Sequence, residues 1–160
     1  MTTLGGEAQV GATDVWLTPP WILETLGEFD LDPCASIDRP WDTAKKHYTK
    51  EDNGLIQPWV GRIWCNPPYG RAMYPFLEKM VAHGNGIVLI FARTETKAFF
   101  EYVWDQADAI FFFKGRLRFY TPDGVEADTS GAPSVLVAYG SNNVKALEDS
   151  GLPGKLIYLK

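Results

Sequence analysis

The sequence predicts an α/β fold, with a mixed, mostly parallel sheet covered by helices on both faces. Two observations lead there. Strand-like runs alternate with amphipathic helical stretches along most of the chain, the pattern of a sheet wound with crossover helices. Ile87 to Ala92 and Ala109 to Phe113 are apolar at every position, as in strands buried on both faces. The 160 residues, 46% hydrophobic and 22% charged, suit one domain that buries about two-thirds of its unfolded surface.

Each element has its own signal. Residues 1–13 are glycine-rich without periodicity and read as a mobile arm, leaving 14–160 as the domain. Thr18-Pro19-Pro20 opens a helix with Thr18 as N-cap; Ile22, Leu23 and Leu26 form its apolar face, and Gly27 ends it. Phe29 to Asp32 is a short strand running into the small-residue turn Pro33-Cys34-Ala35-Ser36. Arg39 to Gln57 is polar and loop-like, with a short strand near His47-Tyr48-Thr49. Arg62 to Cys65 is a strand, and Met73, Phe76, Leu77, Met80 and Val81 then mark one face of a helix that Gly84 and Gly86 close. After the strand Ile87 to Ala92, Thr94 is the expected cap of a helix striped by Phe99, Phe100, Val103, Trp104 and Ala107. Ala109–Phe113, Arg116–Tyr120 and Ser134–Tyr139 read as strands, the last two joined by a polar loop at Thr121 to Ala132. Lys155 to Leu159 reads as a closing edge strand.

Ligands of such sheets sit beyond the carboxyl ends of the strands. Asp32-Pro33-Cys34, Asn66-Pro67-Pro68-Tyr69 and Arg93-Thr94 all fall there, so three loops are expected to face one crevice. Asn66-Pro67-Pro68-Tyr69 suits one chemical group, an amine conjugated to a planar ring. Such a nitrogen is a poor nucleophile because its lone pair is delocalised. The Asn66 amide oxygen and the Pro67 carbonyl can accept its hydrogens and localise that pair, on a backbone stiffened by two prolines. Tyr69 offers a face for stacking. A proline-rich turn with a core tyrosine is the bland alternative.

The net charge of −5 argues against a molecule coated in basic residues. Yet Lys114, Arg116 and Arg118 cluster, with no acid between Ala109 and Pro122. Such a strand can hold a few phosphates, or serve as a charged edge that resists aggregation. Cys34 and Cys65 are too few for a disulfide framework and lack zinc-site spacing. No apolar run approaches the ~20 residues of a membrane span. The start lacks the features of a secretory signal, so a cytoplasmic protein with reduced thiols is expected, monomeric or a small oligomer.

Taken together, Thr18-Pro19-Pro20 before a helix, Leu31 to Ser36 and Asn66 to Tyr69 resemble amino-group methyltransferases that use S-adenosylmethionine. Tyr48 to Leu55 ahead of Trp59, Lys114 to Phe119, and Gly131 to Val137 bring the chain closest to the compact phage-type DNA N-6-adenine methyltransferases. The resemblance spans Asp14 to Gly140. It implies a compact Rossmann-like class I methyltransferase fold and methyl transfer to the exocyclic amine of a flipped adenine. It implies Asn66, Pro67, Pro68 and Tyr69 as catalytic residues. For the cofactor it implies Thr18 and Pro19 at the methionine end, Asp32 on the ammonium group, Pro33, Cys34 and Ala35 (with Ser36) as close backbone, and Asp52, Asn53 and Leu55 near the adenine or ribose. A turn role for Asp52-Asn53-Gly54 fits equally well. Arg71, Arg93, Lys114, Arg116 and Arg118 would hold phosphates of double-stranded DNA, and Phe112 or Phe113 could close the other face of the base. No metal is needed. The expected setting is a bacterial host cell, with the enzyme phage-encoded or part of restriction–modification, acting as monomer or homodimer.

The chain also departs from that pattern. Asp32 to Ser36 contains no glycine, and the short interval from Asp32 to Asn66 leaves out one or two strand–helix units. Asp38, Asp42 and Asp52 compete for the ribose. Cys34 as a nucleophile lacks a nearby histidine. RNA adenine or protein glutamine would suit the same tetrapeptide, and a non-catalytic binding module is the alternative of another class.

Overall fold

The sheet is built around four short parallel strands that carry the motifs at their carboxyl ends. In a computed structural model of the chain, which describes residues 15–160, these are β1 (Leu31–Asp32), β2 (Lys46–His47), β3 (Ile63–Cys65) and β4 (Gly86–Phe91). The arm expected at residues 1–13 lies outside the described residues. β5 (Ala109–Phe113), β8 (Ser134–Tyr139) and β9 (Gly154–Tyr158) complete a seven-stranded sheet of order β2-β1-β3-β4-β8-β5-β9. β6 (Arg118–Tyr120) and β7 (Glu126–Thr129) form a separate hairpin.

The expected mostly parallel sheet is corrected: β2, β1, β3 and β4 pair in parallel, whereas every pairing made by β8 or β9 is antiparallel. β8 enters between β4 and β5 and reverses the ladder on that side. Alternation along each strand sends side chains to two cores. Trp64, Ile87, Leu89, Phe111, Leu136 and Ala138 face α1 (Pro20–Leu26) and α4 (Ser141–Asp149). Ile63, Cys65, Val88, Ile90, Ile110 and Val137 face α2 (Met73–His83) and the helical turns of α3 (Lys97–Phe99), which continues as a π-turn over Phe100–Trp104. Helices therefore cover both faces.

Several local expectations are revised. Pro19, not Thr18, sits at the N-cap of α1, and no side chain caps that end. Thr96 replaces Thr94 as the cap of α3, its hydroxyl accepting from the Phe99 N–H at 3.2 Å. Phe100 leaves the apolar stripe and is 51% exposed, because the π-turn rotates it off the face that Phe99 and Val103 bury. The polar stretch Thr121 to Ala132 contains β7, and α4 was not anticipated at all. α2 forms as expected, with Leu77 and Met80 buried and Gly84 ending it at φ 76°. No helix among the described residues is long and apolar enough to cross a membrane.

Candidate active site

The chain places β2 on one side of β1 and β3 on the other, so the winding direction reverses between β1 and β3. A crevice is expected at such a switch point. There a cavity of about 570 Å³ is lined by Asp32 to Arg39 after β1 and by Asn66 to Tyr69 after β3. Val15 to Thr18, loop residues Thr49, Lys50 and Asn53 to Leu55, and Pro122 of the β6–β7 turn close its sides.

Asp32 is 3% exposed. One carboxylate oxygen accepts from the Cys34 N–H at 2.9 Å and the other from the Thr43 hydroxyl. Burial raises its pKa to about 6, against the lowering effects of Thr43, the Cys34 amide and the Arg39 charge. Burial and the neighbouring Asp32 charge push the Cys34 thiol well up, which makes it a poor nucleophile at neutral pH. The 49–57 loop is docked onto this turn. A Cβ on Gly54 would lie 2.0 Å from the Pro33 carbonyl oxygen, so only glycine permits the approach. Lys79 of α2 donates to the Leu55 and Gln57 carbonyls at 2.8 and 2.7 Å, and the Trp59 indole donates to the Gly54 carbonyl at 2.9 Å.

Asn66 stands on the same cavity. Its amide nitrogen donates to the Trp16 carbonyl at 3.3 Å and to the Thr18 hydroxyl at 3.5 Å. Among the described residues no protein donor engages its Oδ1. Tyr69 stacks on Phe91, with ring centroids 4.8 Å apart and planes 8° from parallel, and the Arg93 guanidinium caps Phe91 at 5.7 Å. One face of Tyr69 is thus backed by the end of β4. Burial holds the Tyr69 hydroxyl protonated well beyond the usual phenol range.

The predicted residues separate into those the cavity gathers and those it does not. Thr18, Asp32 to Ser36, Asn53, Leu55 and Asn66 to Tyr69 line it. Pro19 does not, and Pro19 and Pro20 both lack the N–H groups expected to greet a carboxylate. Asp52 also lies off the lining: its carboxylate accepts from the Thr49 N–H at 2.9 Å within its own turn. Of the three acids considered for a ribose, Asp38 lines the cavity, whereas Asp42 pairs with Arg39 at 3.6 Å. The expected third loop is corrected, since neither Arg93 nor Thr94 lines the cavity; Arg93 is linked to it through the Phe91–Tyr69 stack, and the Thr94 carbonyl accepts from the Trp104 indole at 3.0 Å. Phe112 and Phe113 pack into the two cores, and the ring that stacks on Tyr69 is Phe91. Arg71, Arg93, Lys114, Arg116 and Arg118 are all exposed.

The sequence reading missed Trp16, Arg39, Trp41, Thr43, Trp64 and Phe91. Phe91 was within reach, because it ends a strand beside an expected ligand loop. The others meet the site only through tertiary contacts. Among the described residues, Trp16 Nε1 and Trp64 Nε1 are buried donors without a hydrogen-bond partner, on side chains that line the cavity. Orphaned donors of this kind are costly unless a ligand supplies acceptors.

Comparison with known families decides the assignment, because residues 5–144 match the DNA N-6-adenine-methyltransferase (Dam) family. The chain belongs to that family. No curated protein and no solved structure matched it. The Dam match runs through the Asp32 turn, Asn66 to Tyr69 and the β6–β7 hairpin, so one family covers every segment that builds the cavity. The family's activity is DNA adenine methylation, consistent with methyl-donor use and a DNA substrate.

Proposed function

We propose that this chain transfers a methyl group from S-adenosylmethionine to the exocyclic amine of an adenine flipped out of duplex DNA, the new N–C bond forming as the S–C bond breaks, with S-adenosylhomocysteine as the leaving group and one amine proton lost to water. The observation that carries this reading is Asn66, which lines the cavity: its amide nitrogen is committed to Trp16 and Thr18, while no donor among the described residues engages Oδ1, which leaves it to accept from an incoming amine. Asn66 Oδ1 and the Pro67 carbonyl accept the two amine hydrogens, draw the nitrogen toward tetrahedral geometry and take up its developing positive charge. Tyr69, backed by Phe91, is the stacking platform, and Pro68 stiffens the turn. The cavity holds the base against water and in reach of the donor.

The cavity fits the cofactor's chemistry. A buried carboxylate at Asp32 suits an ammonium group, and the Trp16 and Trp64 indole donors suit hydroxyl and ring-nitrogen acceptors. Asp32, Pro33, Cys34, Ala35, Asn53 and Leu55 are the proposed contacts, with Asp38 the acid nearest a ribose. S-adenosylmethionine, when bound, supplies the electrophilic methyl group. We read the sheet as a shortened Rossmann-like methyltransferase fold, supported by the crevice at the β1/β3 switch point. Lys114, Arg116 and Arg118, with Arg71 and Arg93, are proposed to hold phosphates.

Labelled S-adenosylmethionine offered to duplex DNA, RNA and protein tests the reading directly. Label recovered in N-6-methyladenine of DNA is the expected result. Label in RNA or in glutamine of protein, or in none of the three, would contradict it.

A further inference from the structure

We infer that Thr18 is a positioning residue for Asn66, and that the Trp16–Thr18 segment, seated on the β6–β7 hairpin, fixes the direction in which the Asn66 amide points. The inference rests on the proposed role of Asn66 as acceptor. It moves Thr18 from the cofactor's methionine end, where sequence comparison placed it, to the base end of the cavity.

Thr18 is 2% exposed, and its hydroxyl does not cap α1. Among the described residues its hydroxyl partner is Asn66 Nδ2, at 3.5 Å. The second acceptor is the Trp16 carbonyl, at 3.3 Å. A carbonyl oxygen cannot donate, so a flipped Asn66 would set Oδ1 against it and lose a hydrogen bond. With the amide nitrogen held by both groups, Oδ1 is left for the cavity. Thr18 adds the second anchor and keeps the amide from turning about its last torsion, which is broad and soft in isolation.

The position of the Trp16 carbonyl is itself set from outside the cavity. Leu17 pairs with Tyr120 of β6 through both of its backbone groups, at 2.7 and 3.0 Å. Tyr120 lies two residues after Arg118 on β6, and Trp41 packs edge-on against its ring at 5.3 Å. The hairpin, the 16–18 segment and the Asn66 amide therefore form one hydrogen-bonded chain.

Thr18→Val, which removes the hydroxyl and keeps the shape, tests the inference, with Thr18→Ser as the rescue. If the valine variant does not fold, Thr18→Ala carries the same test. Two readouts are needed: the single-turnover transfer rate at saturating DNA and cofactor, and, in the cofactor-free protein, solvent exchange of the Asn66 side-chain amide, assigned by its loss in Asn66→Ala. Expected are a rate lowered about tenfold, the size of one lost hydrogen bond, faster amide exchange, unchanged cofactor affinity, and restoration of both readouts by serine. Weakened cofactor binding with an intact saturated rate would return Thr18 to the cofactor site and overturn the inference, as would unchanged exchange. If the wild-type protein methylates no DNA, the functional reading itself fails, while the exchange measurement still decides whether Thr18 anchors Asn66.

Discussion

Asp32 shows how one residue links folding to ligand binding. Its folded pKa of about 6 stands above the ordinary carboxyl value of 3.8, so between those values the native state holds a proton that the unfolded chain has lost. By linkage, stability falls as pH rises through this window, and at neutral pH the ionised carboxylate costs the cofactor-free fold about 3 kcal/mol. Thr43, the Cys34 amide and the Arg39 charge offset only part of what burial imposes. A bound ammonium group would complete the pairing. Calorimetry across pH 5 to 8 should therefore show S-adenosylmethionine affinity falling about tenfold per pH step below the Asp32 pKa. Asp32→Asn should bind weakly at pH 8 and lose that dependence. A flat profile in the wild-type protein would remove Asp32 from the cofactor site.

At the scale of elements, the β6–β7 hairpin carries the clearest division between legible and hidden features. The basic cluster Lys114, Arg116 and Arg118 that leads into it was visible in the sequence, because no acid lies between Ala109 and Pro122, although only Arg118 falls on β6 and the hairpin itself carries Asp123, Glu126 and Asp128. Its second strand was not, since Glu126 to Thr129 is polar and largely exposed and offers no apolar alternation to read. Only pairing with β6 makes it a strand. α4 was hidden for a similar reason: Asn143 and Leu147 are its buried positions, and a buried asparagine breaks the apolar stripe. The Asn143 amide instead bonds the Tyr139 carbonyl at 2.7 Å and Asn85 at 2.8 Å. Arg116 reaches across the hairpin to the Ser130 carbonyl at 3.3 Å, so the exposed guanidinium is held near one place. Replacing Arg116 and Arg118 with alanine should weaken duplex binding and reduce the slope of log affinity against log salt by about 1.8, two phosphate contacts' worth. Binding that is unaltered at every salt concentration would take the hairpin out of the DNA interface.

For the whole molecule, the sequence revealed the half of the sheet that carries chemistry better than the half that supports it. Asp32-Pro33 and Asn66 to Tyr69 each follow a short apolar run, and the rule that ligands lie beyond carboxyl ends placed both on one cavity. Strand direction on the other side was not legible, because a doubly buried run such as Ser134 to Tyr139 reads the same in either orientation. Its antiparallel entry between β4 and β5 is decided by the chain's path and by packing against α4. The same limit explains Arg93, which ends a strand as expected yet meets the cavity only through stacked rings.

The central claim is that Asn66 activates the amine without holding the cofactor. Asn66→Ala separates these roles when single-turnover transfer to duplex DNA is measured beside cofactor affinity by calorimetry. Expected is a rate loss of about 10²- to 10³-fold, the usual effect of removing one preorganised polar contact, with cofactor affinity unchanged. An Asn66→Ala protein that transfers methyl at the wild-type rate would contradict that claim.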